Sequence, residues 1–467
     1  MKKQYDIAVL GGGPGGYVAA IRAAQLGFNT VIIDKDNLGG ICLNWGCIPT
    51  KSLLKNAEIF DQIKNHGNDF GISTTGLEFD FNRIIKRSRD ISDRISKNVE
   101  MLVKKNKVDR VRGFGKIVSK NTIDIYDEKN KFIESIHTDK IIIATGASPR
   151  SIPAIALDRK NIITSTEAMN LEKLPKDLVV IGAGAIGVEF AYFYSTLGTK
   201  VTIIEMMKHV LPIEDEEVSI ALEKSFKKKG IEILTSAIVE KAEIKGNKVN
   251  VIVNVNGEKK VLNAEKVLNA IGVVGNTQGI GLEEVGVQIE KNSIKVNKEN
   301  YETTVPGIFA IGDVIGPPWL AHVASAEGIH CIEKINGNNN PSIDYNNIPG
   351  CTYCQPQVAS VGLTEARAKE KGLDIKVGKF PFMASGKAFA IGEREGFVKL
   401  IFDAKYGEIL GGHIIGSEAT EMIAEIVLGR SLEATGESII KTIHAHPTLS
   451  EAIMEAAANA YGEAIHI

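Results

Sequence analysis

Three things are missing from this sequence: a membrane-spanning run, a disulfide framework and a charge excess of one sign. No apolar stretch reaches the roughly 18 residues that cross a bilayer, which excludes a helical membrane protein. The N-terminal MKKQYDIAVLGGG puts two lysines before an apolar run. Asp6 interrupts that run and only IAVL follows before the glycines, so it reads as a first β-strand rather than a secretory leader. Cysteines number five, odd and irregularly spaced, which points to a reducing, cytoplasmic compartment where any disulfide is expected to be catalytic. A net charge of −2, from 55 basic and 57 acidic residues, gives no electrostatic footprint for nucleic acid or an anionic membrane.

What is present is length and glycine. The 467 residues predict about three domains of roughly 150 residues each. A hydrophobic share of 44% and a charged share of 24% are those of an ordinary globular protein. Glycine, at 46 residues, exceeds the usual share of roughly 7%, so glycine turns are expected to matter.

The chain contains an internal duplication. YDIAVLGGGPGGYVAAIRAAQLGFNTVIID, residues 5–34, reads as strand, glycine turn, helix, strand, and DLVVIGAGAIGVEFAYFYSTLGTKVTIIE, residues 177–205, repeats that pattern. Each half closes on an apolar strand and a second glycine turn, KIIIATGASPR at 140–150 and KVLNAIGVVGN at 266–276. Gly11 to Gly146 spans 135 positions and Gly182 to Gly272 spans 90, so the first half carries 45 more. This insertion is expected to include residues 39–54 and the segment 81–105, which has helical apolar spacing from Phe81 to Val103 with its basic residues on a solvated face. GIFAIGDVIGPPWLAHVASAEGIHCIEKI at 307–335 predicts another strand, turn and helix, and NGNNNPSIDYNNIPG a linker. Beyond about residue 350, VASVGL, FVKLIFD and ILGGHIIG alternate with two helical segments, predicting a separate mixed α/β domain.

In the glycine turns, Gly11, Gly13 and Gly16 match Gly182, Gly184 and Gly187. The first allows a tight turn, the second a pyrophosphate approach, and the third close packing of helix on strand, while the helix N-terminus offers amides to phosphates. Each next strand ends in an acid, Asp34 or Glu205, able to accept from ribose hydroxyls, so two bound dinucleotides are expected. Met206 and Met207 stand where a ribose phosphate would want arginines, which favours NAD over NADP at the second turn, with Lys208 nearby.

GGICLNWGCIPTKSLL, residues 39–54, holds Cys42 and Cys47. A zinc site is disfavoured because no second ligand pair with suitable spacing lies in the same half, and the CxxC of Cys351 and Cys354 has no link to it. On a continuous helix, Cα atoms five residues apart are roughly 8.6 Å apart, beyond the roughly 7 Å that a disulfide bridges. A bond therefore requires an irregular turn, for which Gly46 and Pro49 give room. So short a closed loop stabilises little as a staple, which leaves a redox pair the stronger reading.

GGICLNWGCIPTK, the two dinucleotide units, FAIGDV and HAHPTLSE together resemble the pyridine nucleotide-disulfide oxidoreductases with a Cys-x4-Cys redox centre, over essentially the whole chain. The resemblance implies an α/β fold: two Rossmann-like dinucleotide-binding domains plus a C-terminal mixed α/β dimerisation domain. The expected bounds are 1–147 with 276–347 for FAD, 148–275 for NAD and 348–467 for the homodimer interface. It is greatest to members that oxidise a dihydrolipoyl group with NAD. It implies as partners the lipoyl domains of 2-oxo-acid dehydrogenase complexes or the lipoyl protein of glycine cleavage.

By position, Cys42 is expected to exchange with the dithiol and Cys47 to face the flavin. Lys51 is expected near the flavin, with Glu189 as its ion-pair partner. Thr145, Gly146 and Asp313 join Gly11, Gly13, Gly16 and Asp34 at FAD. Gly272 joins Gly182, Gly184, Gly187 and Glu205 at NAD.

Thiolate chemistry needs a base titrating near neutrality. In HAHPTLSE, Pro447 suits a helix start, which leaves His446 just ahead of it and Glu451 about one turn in. The resemblance makes His446 the acid/base and Glu451 its partner, supplied across the dimer, with His444 supporting. Val323, Gln357 and Val273 depart from the family's usual residues. Rivals are a glutathione or mercuric reductase using NADPH, disfavoured by the absence of arginines after the second turn and of cysteines in YGEAIHI, and a redox-silent flavoprotein scaffold.

Overall fold

The computed structural model describes residues 4–467, so the start of the first predicted domain, residues 1–3, lies outside the described residues. The chain forms two compact units, each assembled from three separate segments.

The first unit comprises Met1–Ser52, Arg83–Arg150 and Gly272–Ile343. Its centre is β1 (Gln4–Leu10), paired in parallel with β2 (Thr30–Asp34) on one side and β6 (Phe132–Ile143) on the other. Ile7, Val9, Ile32 and Ile142 are all fully buried, as strands of a parallel sheet covered on both faces require. β3 (Asp109–Arg112) extends the sheet beyond β2, and the strand Ile308–Ala310 pairs in parallel with the end of β6. β4 (Phe114–Ser119) and β5 (Thr122–Tyr126) add an antiparallel ribbon to the start of β6. Helix α1 (Pro14–Gln25) joins β1 to β2 and packs on the helix Ala321–Ile335.

After β2 come α2 (Gly40–Trp45), α3 (Cys47–Asp61) and α4 (Phe81–Lys105). The helix predicted over 81–105 forms with those bounds, but two expectations about it change. It is the crossover between β2 and β3, the place that Glu216–Lys228 takes in the second unit, so the extra residues of the first half are chiefly those before it. Its buried stripe is apolar only at Ile85, Val99 and Val103; between them stand Ser88, Ser92 and Ser96. Arg89 is half-buried rather than part of a solvated face.

The second unit comprises Leu53–Asn82, Ser151–Ile271 and Asp344–Ile467. Asp177–Ile181 is the centre of a second parallel sheet, flanked by Lys200–Ile204 and Lys266–Asn269, with Glu232–Leu234 and Ile162–Ile163 outside them. An antiparallel meander, Ala237–Lys245, Lys248–Val255 and Glu258–Ala264, follows Glu232–Leu234. The C-terminal part is a five-stranded antiparallel sheet in which Gln357–Gly362, Phe397–Asp403 and Ile409–Gly416 are the strands foreseen from sequence. The helices Ala419–Ser431 and Glu451–Ala460 cover it, and three short helices, Glu365–Glu370, Gly386–Ile391 and Gly436–Lys441, add to them. No helix among the described residues is long and apolar enough to cross a membrane.

Candidate active site

Cys42 and Cys47 are disulfide-bonded, with Cα atoms 4.6 Å apart. The irregular turn that such a bond requires is the break at Gly46 between α2 and α3, where φ is −149° and ψ −113°. A Cβ there would meet Ile41 O at 3.0 Å and Cys42 Cα at 3.3 Å, so the bare α-carbon permits the approach. Cys42 lies within α2, whereas Cys47 is the first residue of α3. The positive end of a 15-residue helix therefore favours negative charge on Cys47 sulfur. Lys51, half-buried, stands one turn further along α3. Asn44 secures the preceding loop by donating from Nδ2 to Gly40 O at 2.9 Å and Leu38 O at 3.2 Å.

The first glycine turn abuts this segment. Gly39 N–H donates to Gly12 O at 2.7 Å, and Gly13 Cα lies 2.6 Å from where a Gly40 Cβ would stand. Gly11, at φ +111°, leaves no room for a side chain against Ala144 O, and Gly16 none against Gly11 O. Gly182, at φ +99°, and Gly187 repeat both contacts, against Ala270 O and Gly182 O. The acids repeat as well. Asp34 accepts from Gly12 N–H at 2.5 Å and Asp36 N–H at 2.8 Å; Glu205 accepts from Ala183 N–H at 2.7 Å and Met207 N–H at 2.8 Å. Burial raises the Asp34 carboxyl, against the pull of those amides.

Both turns fit a dinucleotide. Neither α1 nor Ala185–Thr196 has a side-chain cap or an acid in its first turn. Gly184 has open space where a side chain would be, and at Gly13 the nearest atom is Gly40 Cα at 3.9 Å. Uncapped amides facing open space are what a pyrophosphate takes. Lys208, the cation beside Glu205, is paired with Glu216 at 3.4 Å.

Thr145 and Gly146 are tied to Asn276, which sequence reasoning left without a role: Thr145 Oγ1 donates to Asn276 O at 2.8 Å and Asn276 N–H to Gly146 O at 2.9 Å. Gly272 belongs to the first unit and accepts from Arg150 N–H, whereas Gly182, Gly184, Gly187 and Glu205 belong to the second. Asp313 follows Gly312, whose N–H donates to buried Glu327 at 2.7 Å. Burial, reinforced by Glu327, pushes the Asp313 carboxyl up to about 6. Glu327 went unnoticed in the sequence because an acid within AEG has no periodic or motif signal. Val323 is buried, Val273 pairs with Pro149, and Gln357 Oε1 accepts from Thr420 Oγ1 at 2.8 Å.

In the second unit, the carboxylate of Glu189 is buried and accepts from Tyr353 N–H at 2.9 Å. His446 Nδ1 lies 2.9 Å from Glu451 Oε1, and Glu451 Oε2 accepts from Thr448 N–H at 2.7 Å. Burial pushes the Glu451 carboxyl upward, but the Thr448 amide and His446 outweigh it and hold it below the usual range. The helix begins at Glu451 and not at Pro447, because the Thr448 hydroxyl closes a turn onto Ala445 O first. The His446 side chain is 79% exposed. His444 is the opposite, its ring nearly buried and its Nε2 2.8 Å from Glu425 Oε1.

The arrangement offers an openable disulfide, an imidazole backed by an ionised carboxylate, and two dinucleotide cradles. Comparison with known proteins agrees. Residues 5–328 match the family model described as pyridine nucleotide-disulphide oxidoreductase, and 348–457 match its dimerisation domain. Proteins named dihydrolipoyl dehydrogenase from Rhizobium etli and Zymomonas mobilis are 46% and 44% identical, each over 100% of both chains. A third, from Bacillus subtilis, is 43% identical over the same share. Among solved structures, LpdA from Mycobacterium tuberculosis superposes with a TM-score of 0.90 at 27% identity, covering 97% of this chain and 98% of that one. The HOCl-induced flavoprotein disulfide reductase RclA from Escherichia coli gives 0.86 at 26%, covering 97% and 99%.

Proposed function

The chain belongs to the pyridine nucleotide-disulphide oxidoreductase family, and from that membership and the site geometry we propose that it is a dihydrolipoyl dehydrogenase, oxidising dihydrolipoyl groups with NAD. The observation that carries this reading is the Cys42–Cys47 bond at a helix break whose loop is tied to the first dinucleotide cradle.

The asymmetry of the pair sets the order of events. One substrate thiolate attacks Cys42 sulfur, the Cys42–Cys47 bond breaks, and Cys47 leaves as a thiolate, stabilised at the α3 N-terminus. The second substrate thiolate then attacks the sulfur joined to Cys42. The lipoyl disulfide forms and the Cys42 thiolate is released. His446 takes the protons that the substrate thiols lose and returns one to Cys42, with Glu451 holding the ring and supporting its cationic form. Gly11, Gly13, Gly16, Asp34, Thr145, Gly146 and Asp313 would hold FAD, and Gly182, Gly184, Gly187, Glu205 and Gly272 would hold NAD; FAD, when bound, would supply the two-electron transfer chemistry. Lys51 would contribute positive charge toward that FAD, and Glu189 remains its expected partner in this reading.

High exposure of His446 supports a base that serves the partner subunit's redox pair, and the dimerisation-domain match supports a homodimer. Lipoyl domains of 2-oxo-acid dehydrogenase complexes, or the lipoyl protein of glycine cleavage, are the macromolecular substrates in this reading. The domain bounds 1–147 with 276–347, 148–275 and 348–467 belong to the same proposal. The test compares turnover of dihydrolipoamide plus NAD with that of glutathione disulfide plus NADPH. Only the first pair is expected to turn over, and Cys42→Ser should abolish it while FAD stays bound. Preference for the second pair would overturn the proposal.

A further inference from the structure

A buried helical stripe is ordinarily apolar, because taking a hydroxyl from water without giving it a partner is unfavourable. On α4 the middle of that stripe is Ser88, Ser92 and Ser96, and every hydroxyl is engaged. Ser88 Oγ donates to Pro49 O at 3.1 Å and Ser96 Oγ to Leu38 O at 2.7 Å. Ser92 Oγ accepts from Arg89 Nη2 at 2.7 Å. That nitrogen also donates to Asn44 O at 2.5 Å, and the guanidinium carbon lies 4.3 Å from the centre of the Trp45 ring. Backbone carbonyls before, between and after the two cysteines are thus held from one helix.

The middle contact differs in kind from the other two. In a continuous helix Asn44 O would accept from the amide four residues on; the break at Gly46 ends α2 at Trp45 and orphans that carbonyl. Arg89 supplies the missing donor, and its charge sits at the negative end of α2. The bridged form of the cysteines demands the break, because a continuous helix would separate their Cα atoms by roughly 8.6 Å. The dithiol form makes no such demand. A cap that stabilises the break therefore favours the bridged form.

We propose that Arg89 is a positioning residue for the Cys42–Cys47 couple, capping α2 at the Gly46 break so that the dithiol closes to the disulfide and gives up its two electrons more readily. This rests on the redox reading of the pair. The equilibrium is nevertheless measured without NAD or a lipoyl substrate, so a failed turnover test and an unmoved equilibrium are separate results.

The experiment equilibrates the FAD-loaded enzyme anaerobically with mixtures of reduced and oxidised dithiothreitol, quenches by alkylation, and counts free Cys42 and Cys47 by mass spectrometry. Reduced dithiothreitol loses two electrons and two protons to the protein disulfide and closes to its ring. Losing a charge-assisted bond, partly expressed in the equilibrium, should move Arg89→Met about tenfold toward the dithiol. Arg89→Lys, which keeps a cation at the carbonyl end, should recover part of that shift. An equilibrium for Arg89→Met within twofold of wild type, or moved toward the disulfide, overturns the proposal. Should Arg89→Met not fold, Ser92→Ala replaces it: a two- to threefold shift toward the dithiol is expected, and none would overturn it.

Discussion

Replacing Lys399 by Met should destabilise the second unit by about 3 kcal/mol, and the structure says why the loss falls at the low end of the roughly 3–5 kcal/mol for breaking a buried pair. Lys399, 1% exposed, lies 2.9 Å from Asp215, 2.8 Å from Glu217 and 2.7 Å from Glu365. Glu217 keeps Lys379 at 2.7 Å and Glu365 keeps Lys369 at 2.5 Å, so neither is stranded. Asp215 is stranded: it is 2% exposed and has no second cation among the described ion pairs.

The same geometry fixes the pH dependence. Lys369 and Lys399 hold the Glu365 carboxyl at about 2, so its contribution is present at neutral pH and is lost as pH falls through that value. Without Lys399, burial is the largest influence left on Asp215 and raises it against the Glu217 and Glu365 amides and His413, a cost absent in acid that grows as pH rises. The gap between wild type and Lys399→Met in urea unfolding should therefore be full at pH 7 and shrink toward pH 4. Adding Asp215→Asn should restore most of the loss, because Asn removes the charge and still caps the helix Glu216–Lys228. A loss under about 1 kcal/mol, or a gap that ignores pH, would refute the reasoning.

Glu451→Gln keeps a hydrogen bond to His446 but cannot support its cation, so turnover with dihydrolipoamide should fall about 100-fold with FAD content unchanged; a rate near wild type would remove Glu451 from the mechanism. Glu205→Ala loses the proposed ribose acceptor along with the clamp on Ala183 N–H, and KM for NAD should rise about tenfold or more, while an unchanged KM would dissociate Glu205 from the nucleotide. Asp313, raised to about 6, contributes stability below its unfolded value that is lost as pH rises through 6. FAD-free Asp313→Asn should thus gain on wild type by about 3 kcal/mol between pH 4 and 7, and parallel pH profiles of the two would contradict this.

The two cradles were legible because turn chemistry is local: a glycine that cannot carry a Cβ, and an acid at the next strand end, are visible without a fold. The break at Gly46 was legible for a different reason, since a bond between Cys42 and Cys47 is incompatible with a continuous helix. What the acids do first was not fully legible, because one amide that each holds, Gly12 N–H for Asp34 and Ala183 N–H for Glu205, belongs to a turn some twenty residues away. The serine stripe of α4 escaped because hydrophobic periodicity scores hydroxyls as surface. The helix start at Glu451 escaped because Pro447 is a strong local signal, overridden by a turn that the Thr448 side chain closes. The meander Ala237–Ala264 was missed because its alternation is partly polar, as suits strands with an exposed face.

The unit that holds Cys42 and Cys47 is sewn from three segments, and its parallel sheet is complete only when Ile308–Ala310 joins β6. The ribosome makes roughly 5–20 residues per second, so the last strand emerges about 13–50 s after the cysteines. During that interval the two thiols belong to an unfinished domain with neither its last strand nor the turn bearing Asp313. Completion of that unit thereby waits on a distant part of the chain: the two cysteines are made long before the strand and turn that finish their domain.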